Sequence, residues 1–224
     1  MIKFLLWRLM FEYFNCIRIL GPGRKQVFYF AFGANLSDAI MRERQIKPAR
    51  ARPFVLRDFG LRFDHPAAWK NGAYASAEPS PSECAYGYLY SMCERDARRM
   101  DFYEGVPILK RYRRREVIQD GQAIFFYQTN RSTPNLSPTT EYLGFIVDGL
   151  ATHPEVPNIY FNELAATQTQ EPGEFVANYL RNLPDNPQGL FEKITVAYEK
   201  LTVKLFLKVI YRYSPTAWMI RAWR

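Results

Sequence analysis

Hydrophobic and polar positions alternate with a period of two over 53–63, the pattern of a half-buried strand or a bent pair of strands. Ahead of this segment, the continuous apolar run 27–32 predicts a fully buried strand that stops at Gly33. Asp120-Gly121 is a hairpin turn signal, and Gly60 predicts a bulge. Further strands are predicted over 73–77, 84–92, 111–118 and 123–129, with a turn over 79–83.

Helical periodicity marks further segments of the same region. Ser37 is a favourable N-cap for a helix over 37–44, and Gly105 provides a C-terminal stop for a helix over 94–104. Two more helices are predicted over 138–151 and from Ile159 onward. Because strands and helices do not alternate regularly, the order favours an α+β fold with a mixed sheet or small barrel over a doubly wound sheet.

Both ends of the chain predict helices of a different character. Residues 1–20 have two apolar faces and a narrow polar strip. Residues 194–213 combine a wide apolar arc with a basic stripe made by Lys200, Lys204, Lys208 and Arg212, and are preceded by a short helix from Pro172 and a linker over 184–189. The predicted organisation is an N-terminal amphipathic helix over 1–25, a central domain over 26–165 and a helical extension over 166–224.

The net charge of +8 is concentrated in these two ends. Residues 1–25 contain five basic side chains and one acidic one, residues 193–224 contain seven and one, and the middle is therefore about −2. The core lacks the basic surplus typical of nucleic-acid-binding proteins, so we expect no nucleic-acid partner. The arginine run within 111–115 is expected to lie partly on a solvated strand face.

The cationic, apolar ends admit two interpretations. They can pack on each other or on the core with their lysines in water, or they can lie in a membrane interface beside anionic lipid. Arg8 and Glu12 argue against a membrane span or a secretory signal over 1–20. Three cysteines without metal-ligand spacing indicate a reducing compartment. We therefore expect a cytoplasmic protein, with peripheral contact at the inner face of a membrane as the second interpretation.

The chemistry begins at the stretch VFYFAFGANLSD, where a buried strand passes through a glycine turn into a helix N-terminus. Backbone N–H groups at such a junction suit a carboxylate or phosphate. The simpler alternative is that Gly33 only makes a turn and Asn35 is a local cap. Two histidines are too few for a His-built metal site and argue against a Ser-His-Asp triad. His65 and His153 are interpreted as loop residues.

Two motifs in order resemble the gamma-glutamylcyclotransferase superfamily: Phe32-Gly33-Ala34-Asn35-Leu36, and Met-Asp-Phe-Tyr-Glu-Gly-Val at 100–106 followed by Tyr112. That family has a Tyr-Gly-Ser-Asn-Leu loop after its first strand and carries its catalytic acid in a helix-ending Leu-Asp-x-x-Glu-Gly-Val segment. The resemblance covers about residues 27–165 and includes the strand 84–90 and the segment 137–142. Phe32 and Ala34 stand where the family has Tyr and Ser, and 107–111 lack a glycine that the family often has.

The resemblance implies a gamma-glutamylcyclotransferase-like catalytic domain over 26–165 that cyclises a γ-glutamyl group to 5-oxoproline and releases an amino acid or amine. Glu104 would be the general acid/base, and neither a metal nor a cofactor would be needed. The implied substrate-binding residues are Phe32, Gly33, Ala34, Asn35, Leu36, Tyr112 and Tyr142. The alternative is a non-catalytic, membrane-associated module of the same fold that binds a small ligand.

Elementary chemistry agrees with this implication. The substrate's α-amine attacks its own γ-carbonyl, so the nucleophile is already tethered, which can contribute up to about 7–11 kcal/mol in ideal geometry. A carboxylate at a helix C-terminus lies where the helix dipole disfavours negative charge, a setting suited to proton transfer. On its spacing alone, however, Glu104 is better interpreted as an exposed surface carboxylate, and Tyr112 and Tyr142 as core or rim aromatics.

Overall fold

A computed structural model of the chain describes residues 23–67, 72–106, 111–130 and 132–171, together with the single positions 13, 16, 20, 21, 190 and 193. The helices predicted over 1–20, from Pro172 and over 194–213, and the linker 184–189, lie outside the four continuous ranges. The strands are β1 (Gln26–Ala31), β2 (Arg50–Pro66), β3 (Ala73–Cys93), β4 (Tyr112–Gln119) and β5 (Gln122–Thr129). The helices are α1 (Asp38–Glu43), α2 (Glu94–Glu104), α3 (Thr140–Leu150) and α4 (Asn158–Ala165), with a 3₁₀ turn over Ala34–Leu36 before α1.

The five strands form one mixed sheet in the order β2-β3-β1-β5-β4. Strand β1 lies at its centre, antiparallel to β3 and parallel to β5. Helices follow the strands without regular alternation, so the α+β fold with a mixed sheet that the sequence predicted is confirmed. Residues Tyr29, Phe30, Ala31 and Phe32 are all buried, as expected for a central strand covered on both faces.

Strands β2 and β3 form a long kinked ladder, and here the predicted boundaries were wrong. The pairing skips Asp58 on β2 and four residues on β3, between Pro79 and Cys84. Asp58 has a φ of 62°, and its carboxylate accepts a hydrogen bond from the Ser82 N–H at 3.2 Å. The bulge therefore lies at Asp58 rather than Gly60, because a short polar side chain tolerates the left-handed conformation and satisfies the backbone locally. The segment predicted as a turn over 79–83 is this irregular part of one continuous strand.

Residues at the ends of the other elements determine where these elements begin and end. Helix α2 ends at Gly105, which adopts the left-handed conformation with φ 72° and ψ 29°, and the Val106 N–H donates to the Asp101 carbonyl at 2.8 Å. Asp120 and Gly121, with φ of 53° and 73°, form the turn between β4 and β5. Helix α3 begins later than predicted because Thr139 caps it, accepting a hydrogen bond from the Tyr142 N–H at 3.3 Å.

The chain beyond α4 returns to the core. The Gln170 N–H donates to the Pro138 carbonyl at 3.0 Å, and Gln170 forms a parallel bridge with Thr139. The predicted division of the chain into three parts stays a prediction. Within the ranges that the structure describes, no helix is both long enough and apolar enough to cross a membrane.

Candidate active site

The last turn of α2 brings Glu104 against the loop that follows β1. Glu104 Oε1 accepts a hydrogen bond from Asn35 Nδ2 at 3.1 Å and from Arg44 Nη1 at 2.6 Å. Both members of the ion pair are largely enclosed, since the side chains of Arg44 and Glu104 are 19% and 14% exposed. The structure therefore joins the two motifs, 69 residues apart in sequence, in one polar cluster.

Asn35 is oriented by contacts from several sides. Its Nδ2 also donates to the Tyr29 hydroxyl at 2.7 Å, and its backbone carbonyl accepts from the Tyr90 hydroxyl at 3.2 Å. Its Oδ1 is buried and has no hydrogen-bond partner among the described residues. With the amide nitrogen directed at Glu104, this oxygen is an unfilled acceptor, the arrangement expected where a ligand N–H is to bind.

The loop over 33–36 uses part of its backbone internally. The N–H groups of Leu36 and Ser37 donate to the carbonyls of Gly33 and Ala34 and close the 3₁₀ turn. At the start of this turn, the Ala34 N–H hydrogen-bonds the Tyr142 oxygen. The Asn35 N–H has no partner within the turn itself.

Two of the predicted substrate-binding residues have side chains in the core. Phe32 is 5% exposed and stacks on Phe30 at 5.6 Å, and Leu36 is 7% exposed and lies under α3 against Gly149. Neither side chain contributes a polar group to the cluster, so contact with a substrate at these positions would be through the backbone. The replacement of the family's loop Tyr by Phe32 lies within the packed interior.

Tyr112 and Tyr142 meet at Ala75 of β3. The Tyr112 hydroxyl donates to the Ala75 carbonyl at 3.1 Å, and the Ala75 N–H donates to the Tyr142 oxygen at 3.0 Å. The Tyr142 oxygen would lie 3.2 Å from a Cβ placed on Gly33. Burial, with the charge of Glu104 as a further cause, raises the pKa of both phenols above their usual value. Both phenols therefore stay neutral at neutral pH.

His65 was interpreted as a loop residue, and this was wrong. It lies in β2, is 6% exposed, and its ring centre is 4.3 Å from that of Tyr112. Its Nδ1 is 2.7 Å from Thr129 Oγ1. Burial and the nearby charge of Arg111 lower the pKa of His65 to about 4, so the ring is neutral at neutral pH. A second irregularity of the pairing at Asp64 breaks the alternation of β2 just before His65, so no periodic signal in the sequence marks this position.

His153 is also buried and lies outside the cluster. Its Nε2 is 2.8 Å from the Gly87 carbonyl and 3.3 Å from the Phe54 backbone nitrogen, so it joins the chain after α3 to strands β2 and β3. Among the described residues, no group of three or more His, Cys, Asp or Glu side chains is arranged to hold a metal ion.

The second carboxylate of the motif, Asp101, serves the core. It is fully buried and accepts hydrogen bonds from Arg114 Nε at 2.7 Å and from the Tyr127 hydroxyl at 2.8 Å. The guanidinium carbon of Arg114 also lies 4.5 Å from the centre of the Phe125 ring. Arg114 is therefore not on the solvated face that was expected for the arginine run. The alternation of β4 leaves Arg113 exposed instead.

Together, the central mixed sheet, the loop after β1 and the helix that ends in Glu104 define the gamma-glutamyl cyclotransferase fold. A solved structure described as gamma-glutamyl cyclotransferase superposes with a TM-score of 0.53 at 19% identity, over 78% of this chain and 99% of that one. An uncharacterised human protein superposes with a TM-score of 0.54 at 21% identity, over 77% of this chain and 98% of its own.

YkqA from Bacillus subtilis has the same fold, with a TM-score of 0.53 at 16% identity, over 71% of this chain and 60% of YkqA. At these identities the likeness concerns the fold. No protein-family model matches the sequence, and comparison with curated protein sequences gives no significant match.

Proposed function

We propose that the protein is an enzyme of the gamma-glutamyl cyclotransferase type, which converts a γ-glutamyl group to 5-oxoproline and releases an amino acid or amine. The observation that carries the proposal is the contact between Asn35 Nδ2 and Glu104 Oε1 at 3.1 Å, which unites both motifs in one enclosed cluster. Similarity to a solved gamma-glutamyl cyclotransferase supports the fold on which this chemistry would occur.

Glu104 is the general acid/base in this mechanism. The carboxylate takes a proton from the substrate's α-ammonium, and the freed nitrogen attacks the γ-carbonyl carbon to close a five-membered ring. The bond from that carbon to the leaving nitrogen then breaks, and the carboxyl group returns the proton to the leaving nitrogen. The ring nitrogen gives up a second proton as the lactam forms, and the released amine takes it to leave as an ammonium ion. No water is consumed, and atoms and charge balance between the γ-glutamyl compound and the two products.

Neutral donors beside Gly33 can stabilise the oxyanion that forms on the γ-carbonyl oxygen. The Tyr142 oxygen already accepts from the Ala75 N–H, which leaves its own O–H to donate. Its raised pKa keeps that proton in place at neutral pH. The Asn35 N–H at the start of the 3₁₀ turn supplies the substrate's α-carboxylate with a backbone donor.

A second function has one observation in its favour. Glu104 is already paired with Arg44 at 2.6 Å, and Ala34 lacks the hydroxyl of the family's loop Ser. A module of this kind would bind a small γ-glutamyl or carboxylate ligand without turnover. In this alternative, the basic and apolar terminal segments would bring the module to a membrane surface.

A substrate panel tests the proposal. Purified protein is incubated with glutathione, γ-glutamyl dipeptides and γ-glutamyl amines, and release of 5-oxoproline is measured. We expect turnover of at least one class, and we expect Glu104→Gln to lower kcat about 10²- to 10⁴-fold because the base is lost.

Glu116→Gln, a change of the same chemistry at an exposed position of β4, is the matched control and should keep full activity. An unchanged rate in Glu104→Gln would show that the mechanism is wrong. Binding of panel members by calorimetry without 5-oxoproline release would instead establish the non-catalytic alternative.

A further inference from the structure

Arg44 follows α1 and reaches across to the last turn of α2. Its Nη1 donates to Met100 Sδ at 3.1 Å and to Glu104 Oε1 at 2.6 Å, and its guanidinium carbon lies 5.2 Å from the centre of the Tyr103 ring. Met100, Tyr103 and Glu104 are spaced as i, i+3 and i+4, so they share one face of α2. The guanidinium is therefore held against that face by three contacts, one of them with Glu104.

The two carboxylate oxygens of Glu104 have different surroundings. Oε1 accepts both hydrogen bonds, one from Arg44 and one from Asn35. Among the residues that the structure describes, Oε2 has no hydrogen-bond partner. Within the described part of the chain, one oxygen is thus held by two donors, and the other is left open to a bound molecule.

We propose that Arg44 is a positioning residue for Glu104: by binding Oε1 together with Asn35, it fixes the carboxylate and leaves Oε2 as the atom that exchanges protons with the substrate nitrogen. This inference rests on the proposed function and deepens it, since it assigns the roles of the two oxygens and identifies the residue that separates them.

The charge of Arg44 has a second consequence. The carbonyl groups at the C-terminal end of α2 make the surroundings of Glu104 negative, which disfavours an ionised carboxylate there. A guanidinium keeps its charge at every relevant pH and offsets this unfavourable field. Lysine would supply the charge without the planar group that bonds Met100 and Glu104 and lies over Tyr103.

Full-length variants separate these roles. Arg44→Gln removes the charge and the planar contact, Arg44→Lys keeps the charge only, and Arg42→Gln removes a charge from an exposed position of the same helix as the control. The first measurement is kcat and KM for 5-oxoproline release. The second is the ¹³C NMR chemical shift of the Glu104 carboxyl at neutral pH, assigned by its loss in Glu104→Gln, which reports the hydrogen bonds of the carboxyl and does not depend on turnover.

For Arg44→Gln we expect kcat to fall about 10- to 100-fold with little change in KM, because the base is misplaced rather than the substrate lost. The ¹³C chemical shift of the Glu104 carboxyl should also change, because the charge-assisted hydrogen bond to Oε1 is lost. Arg44→Lys should lose rate as well, because it lacks the planar contacts, and Arg42→Gln should match the wild type in every measurement.

Three results would overturn the inference: an Arg44→Gln protein with the rate and ¹³C shift of Arg42→Gln, a lost rate with an unchanged Glu104 ¹³C shift, or an Arg44→Lys protein with the full wild-type rate. If Arg44→Gln does not fold, the rate of Arg44→Lys decides. If the wild type releases no 5-oxoproline, the proposed function fails, and the ¹³C shift still decides whether Arg44 holds the Glu104 carboxyl.

Discussion

At the scale of single residues, the site depends on side chains that use only part of their hydrogen-bonding capacity within the protein. Asn35 directs its Nδ2 to Tyr29 and Glu104 and leaves a buried Oδ1 without a partner among the described residues. A buried acceptor without a partner costs about 1–3 kcal/mol. Under the proposed function, a ligand N–H bound to this oxygen would offset that cost.

The sequence identified Asn35 and Glu104 through their motifs, but it did not identify Arg44, His65 or Tyr29 as neighbours of the site. Arg44 meets its carboxylate across 60 residues, and no local pattern specifies such a partner. The local sequence around a basic residue at the end of a short helix is the same whether its side chain faces water or a carboxylate. Only the tertiary packing around α1 distinguishes these two environments.

His65 leads to a prediction about acid stability. Burial, chiefly, and Arg111 lower its pKa to about 4, against about 6.5 in the unfolded chain, so the unfolded state binds the proton more readily between these values. The free energy of unfolding should therefore fall as the pH decreases from about 6.5 to about 4, by an amount on the order of 3 kcal/mol. Urea unfolding at several pH values measures this contribution, which is fully present above about pH 6.5.

A His65→Asn variant isolates the contribution, since asparagine can retain a polar contact with Thr129 but does not titrate in this range. Its stability should depend less on pH than that of the wild type between about pH 4 and 6.5. An identical pH dependence in the two proteins would mean that His65 is not the group responsible. Tyr74, Tyr112 and Glu104 also surround the ring, but the phenols stay neutral throughout this window and Glu104 is unchanged in the variant.

At the scale of elements, the site lies where three of them end or turn: β1 with its 3₁₀ turn, α1 and α2. Helix α3 covers the turn and fixes it through close packing. A Cβ on Gly149 would lie 2.4 Å from the Leu36 Cβ, too close for any ordinary contact. The glycine allows α3 to approach the turn that presents Asn35.

We predict that Gly149→Ala displaces Leu36 and, with it, Asn35. The variant should lose about 1–3 kcal/mol of stability from overpacking and should also have a lower kcat/KM. Urea unfolding and 5-oxoproline release measure the two effects.

The same helix provides the control, because a Cβ on Gly144 meets nothing within 4 Å among the described residues. Gly144→Ala should be neutral or more stable by up to about 1 kcal/mol, since alanine favours the helix. If the two alanine variants behave alike, α3 does not hold the turn through Gly149.

Element boundaries were predictable where a local signal sets them. Gly105 ends α2 and Asp120-Gly121 makes the β4–β5 turn, because each requires a left-handed backbone that its own residues favour. Boundaries along β2 and β3 were not predictable in this way. Their length follows from pairing with each other, so a Pro- and Ser-rich stretch that resembles a turn continues as an irregular strand.

At the scale of the whole molecule, charge is distributed unevenly along the chain. The basic surplus belongs to 1–25 and 193–224, while the site lies in the region with a small negative total. The choice between terminal helices that pack on the core and terminal helices that bind a membrane surface therefore stays a prediction from the sequence.

We expect the full-length protein to sediment with vesicles that contain phosphatidylserine and not with neutral phosphatidylcholine vesicles, because each Lys or Arg near an anionic surface contributes about 1 kcal/mol. Added salt should release the protein, and replacing Lys200, Lys204 and Lys208 by Gln should weaken binding about 100-fold. The control replaces three exposed basic residues of the central domain, Arg42, Lys47 and Arg50, by Gln. It removes the same amount of charge and should have little effect on binding. A protein that stays in the supernatant with both kinds of vesicle would favour packing of the terminal helices.

The sequence by itself determined the α+β order of elements, the glycine turn after β1 and the helix-ending Glu104, because each follows from periodicity or from residues adjacent along the chain. The tertiary structure decided which oxygen of Glu104 is held, that Arg44 holds it, that Phe32 and Leu36 belong to the core, and that His65 is buried beside Tyr112. These facts depend on contacts between residues far apart in sequence. Such contacts are set by how the loop after β1, α1, α2 and the sheet pack together, which no local pattern encodes.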